Sequence, residues 1–208
     1  MNKLILIALL YSFVFGQSLF ENKLFFYYRE LMKHIFILIA LKSSFLFAQF
    51  ELDEYHNWIG KTFPDIEFSS VDGNQNLLSE INADVILLDF WYVACHPCLK
   101  AFPDIQEIQN KYPKEKLAVL MLNPIDHLKA VKAFQEDYNY TFEYGVVLEE
   151  LFFEELKMAV MPRTIILDNN RKVLLDVEGF WGDKSVKKYE TTIESIISSK
   201  KQFWEFWE

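Results

Sequence analysis

Cys95-His96-Pro97-Cys98 puts two thiols one helical turn apart, and these are the only cysteines in a chain of 208 residues. Three chemistries use such a pair. A structural zinc ion needs four ligands, and the other histidines, His34, His56 and His127, are scattered without a second cysteine pair. A c-type haem needs histidine directly after the second cysteine, where this chain has Leu99. A dithiol–disulfide centre needs only the pair itself.

The surroundings suit redox work. The pair follows a strand-like run, and Pro97 fits the first turn of a helix. At such a start, unpaired N–H groups and the positive end of the helix dipole stabilise a thiolate. Cys95 is expected at that end, more exposed than Cys98, and His96 adds positive charge when protonated. Cys98, one turn inward, is placed to attack a mixed disulfide. A plainer reading is an inert disulfide, but a loop of two residues constrains the unfolded chain little. Transient holding of a soft ion such as Cu(I) by Cys95, Cys98 and His96 is a further option; no resident metal or organic cofactor is expected.

Several elements must position this pair. Val85–Trp91 is a near-continuous apolar run that reads as a central strand buried on both faces, with Asp89 inside it. A carboxylate there is costly, and burial should raise its pKa. Leu99, Phe102, Ile105, Ile108 and Tyr112 follow helical spacing, with a kink expected at Pro103. Leu117–Leu122 is the next buried strand, His127–Tyr138 and Glu149–Lys157 read as helices, and Thr164–Leu167 and Val173–Val177 as strands joined by Asp168-Asn169-Asn170. Ile66, Phe68 and Val71 form a short strand before the Asp72-Gly73-Asn74 turn, and Ser185–Ser198 closes with a helix. This alternation predicts an α/β fold with a mixed sheet and helices on both faces.

Charge separates two regions. Residues 1–50 hold nine of the twenty phenylalanines and a net charge of +3, which leaves −12 of the chain's −9 for residues 51–208. So acidic a domain excludes a phosphate-backbone footprint, and no nucleic-acid partner is expected. Residues 1–49 read as an export signal or a membrane anchor. Lys3 precedes the apolar run 4–15, and Lys33 and His34 precede Ile35–Leu41, with candidate cleavage after Ala48. One explanation for two such signals is that translation begins at Met32. Residues 50–199 form the globular domain, and the tail 200–208 has no clear period.

Trp91-Tyr92-Val93-Ala94-Cys95-His96-Pro97-Cys98 resembles the W-x-x-x-C-x-P-C active site of the thioredoxin superfamily. The likeness spans roughly Trp58 to Ile197 and is nearest to the exported TlpA/ResA-like branch, through Gly60, Pro64, Asp72-Gly73, Leu78-Ser79 and Phe102-Pro103. It implies a thioredoxin-like three-layer fold with an N-terminal β-hairpin extension. It implies a cis-proline at Met161-Pro162, with the Met161 backbone pairing to substrate and Pro162 shaping the groove. It makes Asp89, six residues before Cys95, the acceptor of the Cys98 proton. Trp91, His96, Pro97, Met161, Pro162 and Arg163 become substrate-binding positions, Arg163 as either a charge at the groove rim or a solvated surface residue. The chain departs from that branch at Ala101, where a glutamate is common, and at Ala94.

The resemblance implies a thiol-disulfide oxidoreductase of protein substrates, exported to the periplasm or anchored facing it. It would work as a monomer with a membrane-linked redox partner. Two other functions stand beside it. A thiol peroxidase of the peroxiredoxin type would want a threonine just before its reactive cysteine, and Tyr92-Val93-Ala94 offers none. A non-catalytic binding module would keep the disulfide as structure.

Overall fold

A computed structural model describes residues 28–42 and 57–205, with side chains as far as residue 199. The run 4–15, the cleavage position after Ala48 and the tail beyond 205 lie outside the described residues. Contacts divide the chain into two units, with the boundary between Asp53 and Glu54. In the first unit residues 28–42 are helical and expose Leu31, Ile35, Phe36 and Leu38.

The second unit is built on seven strands: β1 (Glu67–Ser70), β2 (Gln75–Leu77), β3 (Val85–Phe90), β4 (Leu117–Asn123), β5 (Glu143–Val146), β6 (Arg163–Asp168) and β7 (Val173–Glu178). They lie in the order β2-β1-β5-β4-β3-β6-β7. β3 pairs parallel with β4 and antiparallel with β6, so the sheet is mixed and β3 is interior. The antiparallel pair β1–β2, turned at Gly73, is the N-terminal hairpin. Three helices follow the strands: α1 (His96–Asn110), α2 (Leu128–Asp137) and α3 (Asp183–Glu205).

All six residues of β3 are buried, so their alternation sorts them between two cores rather than between core and water. Val85 and Leu87 join Trp91, Phe102, Ile105, Phe134, Tyr189 and Ile193 in one core, which takes the buried residues of all three helices. Ile86, Leu88 and Phe90 face a second core with Phe63, Phe68, Phe152 and Leu156, supplied by the lead-in and by helical turns at Leu78–Glu80 and Leu151–Glu155. The helix expected over Glu149–Lys157 is thus one π turn. Leu156 N–H donates to the Leu151 carbonyl, and Lys157 then takes φ 51°, which ends the turn.

β5 gave no signal in the sequence. It is four residues long and holds Gly145, where an added Cβ would lie 2.6 Å from a Phe68 ring carbon. α3 runs on to Glu205, so residues 200–205 continue a helix rather than forming an irregular tail.

Candidate active site

β3 ends at Phe90, and Trp91-Tyr92-Val93-Ala94 carries the chain to Cys95 at the N-cap of α1. This turn is held from outside by a device the sequence reading missed. Asp126 Oδ2 accepts the Val93 N–H at 2.7 Å and the Asn123 side-chain amide at 3.0 Å, while Asn123 Oδ1 accepts the N–H groups of Ile125 and Asp126. The Asn-x-x-Asp spacing after a buried strand was the available signal.

Cys95 and Cys98 form a disulfide across a Cα separation of 5.2 Å. Cys95 Sγ accepts the Cys98 N–H at 3.3 Å, so a sulfur occupies the capping position where a thiolate gains most from the helix end. Pro97 lies in the first turn, and with His96 it is exposed. The expectation that Cys95 is more exposed than Cys98 is corrected: their exposures are 1% and 0%. Both bridged cysteines belong to the core of the helices, and Tyr92, Val93 and Met161 pack against that core.

Asp89 follows the alternation of Val85 and Leu87 and so faces the core that holds the disulfide. It is fully buried. Burial pushes its carboxyl up to about 7, opposed by the hydrogen bond from Thr164 Oγ1 to Asp89 Oδ2 at 2.7 Å. Thr164 sits directly across from Asp89 in the β3–β6 register. Its hydroxyl also meets the Tyr189 hydroxyl at 2.9 Å, and burial, with the Asp89 charge nearby, pushes that phenol up.

The Met161-Pro162 peptide is cis. Phe90 pairs with Arg163, so Trp91 and Pro162 leave the sheet side by side. The Pro162 carbonyl accepts the Gly179 N–H at 2.7 Å, which ties this loop to the one after β7. Met161 is half-buried and Pro162 buried.

Two predicted contact residues lie beneath the surface instead. Trp91 is fully buried among Phe134, Phe102 and Tyr144, with ring centroids at 4.7, 5.2 and 5.7 Å, so it supports the site from below and cannot touch a substrate. Arg163 is neither a rim charge nor a solvated residue. It is 1% exposed and its guanidinium pairs with Asp176, at 2.5 and 2.8 Å, and with Glu178. The acids come from β7, whose register sets Glu178 opposite Arg163.

The chain is similar to known proteins. The chain is 24% identical over 162 residues to the thiol-disulfide oxidoreductase ResA of Geobacillus thermodenitrificans (strain NG80-2), covering 78% of this chain and 91% of that protein. It is 25% identical over 146 residues to the thioredoxin-like protein YneN of Bacillus subtilis (strain 168), covering 69% and 84%. Among solved structures, a DsbE-like protein of Chlorobium tepidum superposes with a TM-score of 0.60 at 25% identity, over 66% of this chain and 96% of that one. The fold is therefore thioredoxin-like, as expected. The sequence profile of one family matches residues 59–175, which take in the lead-in, the cysteine pair, the cis-proline and the first strand after it. With more than half its length inside that match, the chain belongs to the AhpC/TSA family.

Proposed function

We propose that this protein is a thiol-disulfide oxidoreductase acting on protein thiols and disulfides through Cys95 and Cys98. The observation that carries the reading is the Cys95–Cys98 disulfide at the head of α1, on the same face of the sheet as the buried carboxyl of Asp89. The ResA name of its relatives supports it.

In the reducing direction the Cys95 thiolate attacks a substrate disulfide. A Cys95–substrate bond forms, and the first substrate sulfur leaves as a thiolate that takes up a proton. Asp89 accepts the Cys98 proton, and the Cys98 sulfur attacks Cys95. The Cys95–Cys98 bond forms, the second substrate thiolate leaves, and two electrons have passed to the substrate. Run backwards, the same steps oxidise a substrate dithiol. His96, Pro97 and Met161 offer the contact surface, with Pro162 shaping its wall. No cofactor takes part, because the cysteine pair carries the electrons.

The work is placed outside the cytoplasm, on the signal-like pattern of residues 1–49, with a membrane-linked partner exchanging electrons. Among the described residues no helix is long and apolar enough to cross a membrane. The apolar side chains exposed on the helix 28–42 support attachment at a lipid surface. A fusion to an export-dependent reporter tests the compartment.

The deciding experiment follows insulin disulfide reduction and measures the Cys95/Cys98 potential against glutathione. A potential near about −270 mV marks a reductase and one near about −120 mV an oxidase, while a value below about −300 mV with no turnover marks a structural disulfide and overturns the proposal. Peroxide consumption faster than disulfide exchange would establish a thiol peroxidase instead.

A further inference from the structure

The buried face of α3 presents Ser185 and Tyr189, four residues apart. The Tyr189 hydroxyl lies 2.9 Å from Thr164 Oγ1, which lies 2.7 Å from Asp89 Oδ2. Ser185 Oγ, one turn before Tyr189, accepts the Trp181 N–H at 3.0 Å.

The carboxylate end of this row fixes its direction. A carboxylate only accepts, and each hydroxyl has one proton to give. With Asp89 ionised, Thr164 spends its proton on Asp89 Oδ2, so Thr164 Oγ1 accepts from the Tyr189 hydroxyl. The other oxygen, Asp89 Oδ1, is buried and has no hydrogen-bond partner.

We propose that Thr164 and Tyr189 are positioning residues for Asp89, a one-way pair of hydroxyls that commits Oδ2 as an acceptor and leaves Oδ1 as the oxygen that takes the Cys98 proton. The inference rests on Asp89 being the base of the proposed reaction. Hydroxyls in a row polarise one another, so Tyr189 strengthens the bond that Thr164 gives.

The surroundings leave this row as the chief influence favouring ionisation. Burial raises the Asp89 carboxyl, and Thr164 is the one group that lowers it. The cross-strand neighbours on β4 and β6, Met121 and Thr164, do not titrate near neutrality. From α3 the titratable group is Tyr189, and from α1 the cysteine pair. Tyr144 lies beyond Trp91 in the same core. Arg163 is committed to Asp176 and Glu178.

The test is a carbon-13 NMR titration of aspartate carboxyls in the full chain, with Asp89→Asn identifying the resonance. Thr164→Val is expected to raise the Asp89 midpoint by about one pH unit, Tyr189→Phe to raise it by less, and Thr164→Ser to restore it. At pH 7 the resolution step should slow about fivefold in Thr164→Val, as the carboxylate fraction falls, while the attack rate of Cys95 in a Cys98→Ala background is unchanged. An Asp89 midpoint unmoved in Tyr189→Phe and in Thr164→Val overturns the proposal. If Thr164→Val does not fold, Tyr189→Phe alone decides it. The titration needs no substrate. Failure of the wild type to exchange disulfides would therefore refute the oxidoreductase reading, and an unmoved midpoint in an active enzyme would refute this one.

Discussion

The guanidinium of Arg163 and the carboxylate of Asp176 meet across β6 and β7 at 2.5 and 2.8 Å, with side chains only 1% and 2% exposed. Asp176 Oδ2 also accepts the Trp58 N–H at 2.9 Å. One buried ion pair thus joins the residue after the cis-proline to the lead-in segment. Removing the cation leaves a buried charge without its partner. Arg163→Met is expected to cost about 3–5 kcal/mol in urea unfolding, and the double change Arg163→Met with Asp176→Leu to recover most of it. A single variant as stable as wild type would contradict this account.

Asp89 couples stability to pH. Its folded carboxyl titrates at about 7 and its unfolded one near 4. Below pH about 4 both states hold the proton and the group is neutral to stability. From about pH 4 to 7 the unfolded chain sheds the proton and the folded protein keeps it, so destabilisation grows as pH rises. Above pH 7 it is constant, of the order of 4 kcal/mol. The difference in unfolding free energy between wild type and Asp89→Asn should vary across that window and flatten outside it. Equal pH slopes for the two proteins would refute the assignment.

In the reaction, Asp89→Asn should slow resolution of a trapped Cys95 mixed disulfide by about a hundredfold at pH 7. Formation of that mixed disulfide should change little, since Asp89 serves Cys98. Rapid-quench separation of the two species reads both steps, and equal resolution rates would remove Asp89 from the mechanism.

Asp126 shapes the turn before Cys95 through the Val93 N–H. Asp126→Ala leaves that amide, and the Asn123 side-chain amide, without their acceptor. A loss of about 1–3 kcal/mol is expected, together with slower alkylation of reduced Cys95 by iodoacetamide. Unchanged alkylation would show that the turn holds its shape without the carboxylate.

Gly145→Ala tests the packing of the hairpin against β5. The new methyl would meet Phe68 at 2.6 Å, closer than carbon contacts allow. A fall of about 1–3 kcal/mol in stability is expected with thiol exchange intact, because the strain falls in the core opposite the disulfide. Loss of exchange in a folded variant would count against this separation of the two layers.

The sequence carried the parts of the fold that repeat locally. The unbroken apolar run of β3, the helical spacing after Pro97 and the Cys95–Cys98 interval each announce themselves within a few residues. What it hid depends on register. Arg163 looks solvent-ready until β7 brings Asp176 and Glu178 alongside, and no periodicity in 163–178 reports that pairing. Trp91 looks like a contact residue until the rings of Phe102, Phe134 and Tyr144 close over it. Tyr189 reads as one more apolar position on α3, and its hydroxyl gains meaning only where β6 sets Thr164 opposite Asp89. The strand at Glu143–Val146 was masked by Gly145, which weakens a strand pattern for the reason that its neighbour Phe68 requires it.

The near-complete enclosure of both sulfurs has a temporal consequence. A thiol in solution meets almost no sulfur surface on the oxidised bridge, so its exchange with small thiols such as glutathione is expected to be slow. Under the proposed function, attack on the bridge therefore has to wait for local rearrangement around Cys95, and the time taken to equilibrate with a small thiol becomes a measure of that rearrangement.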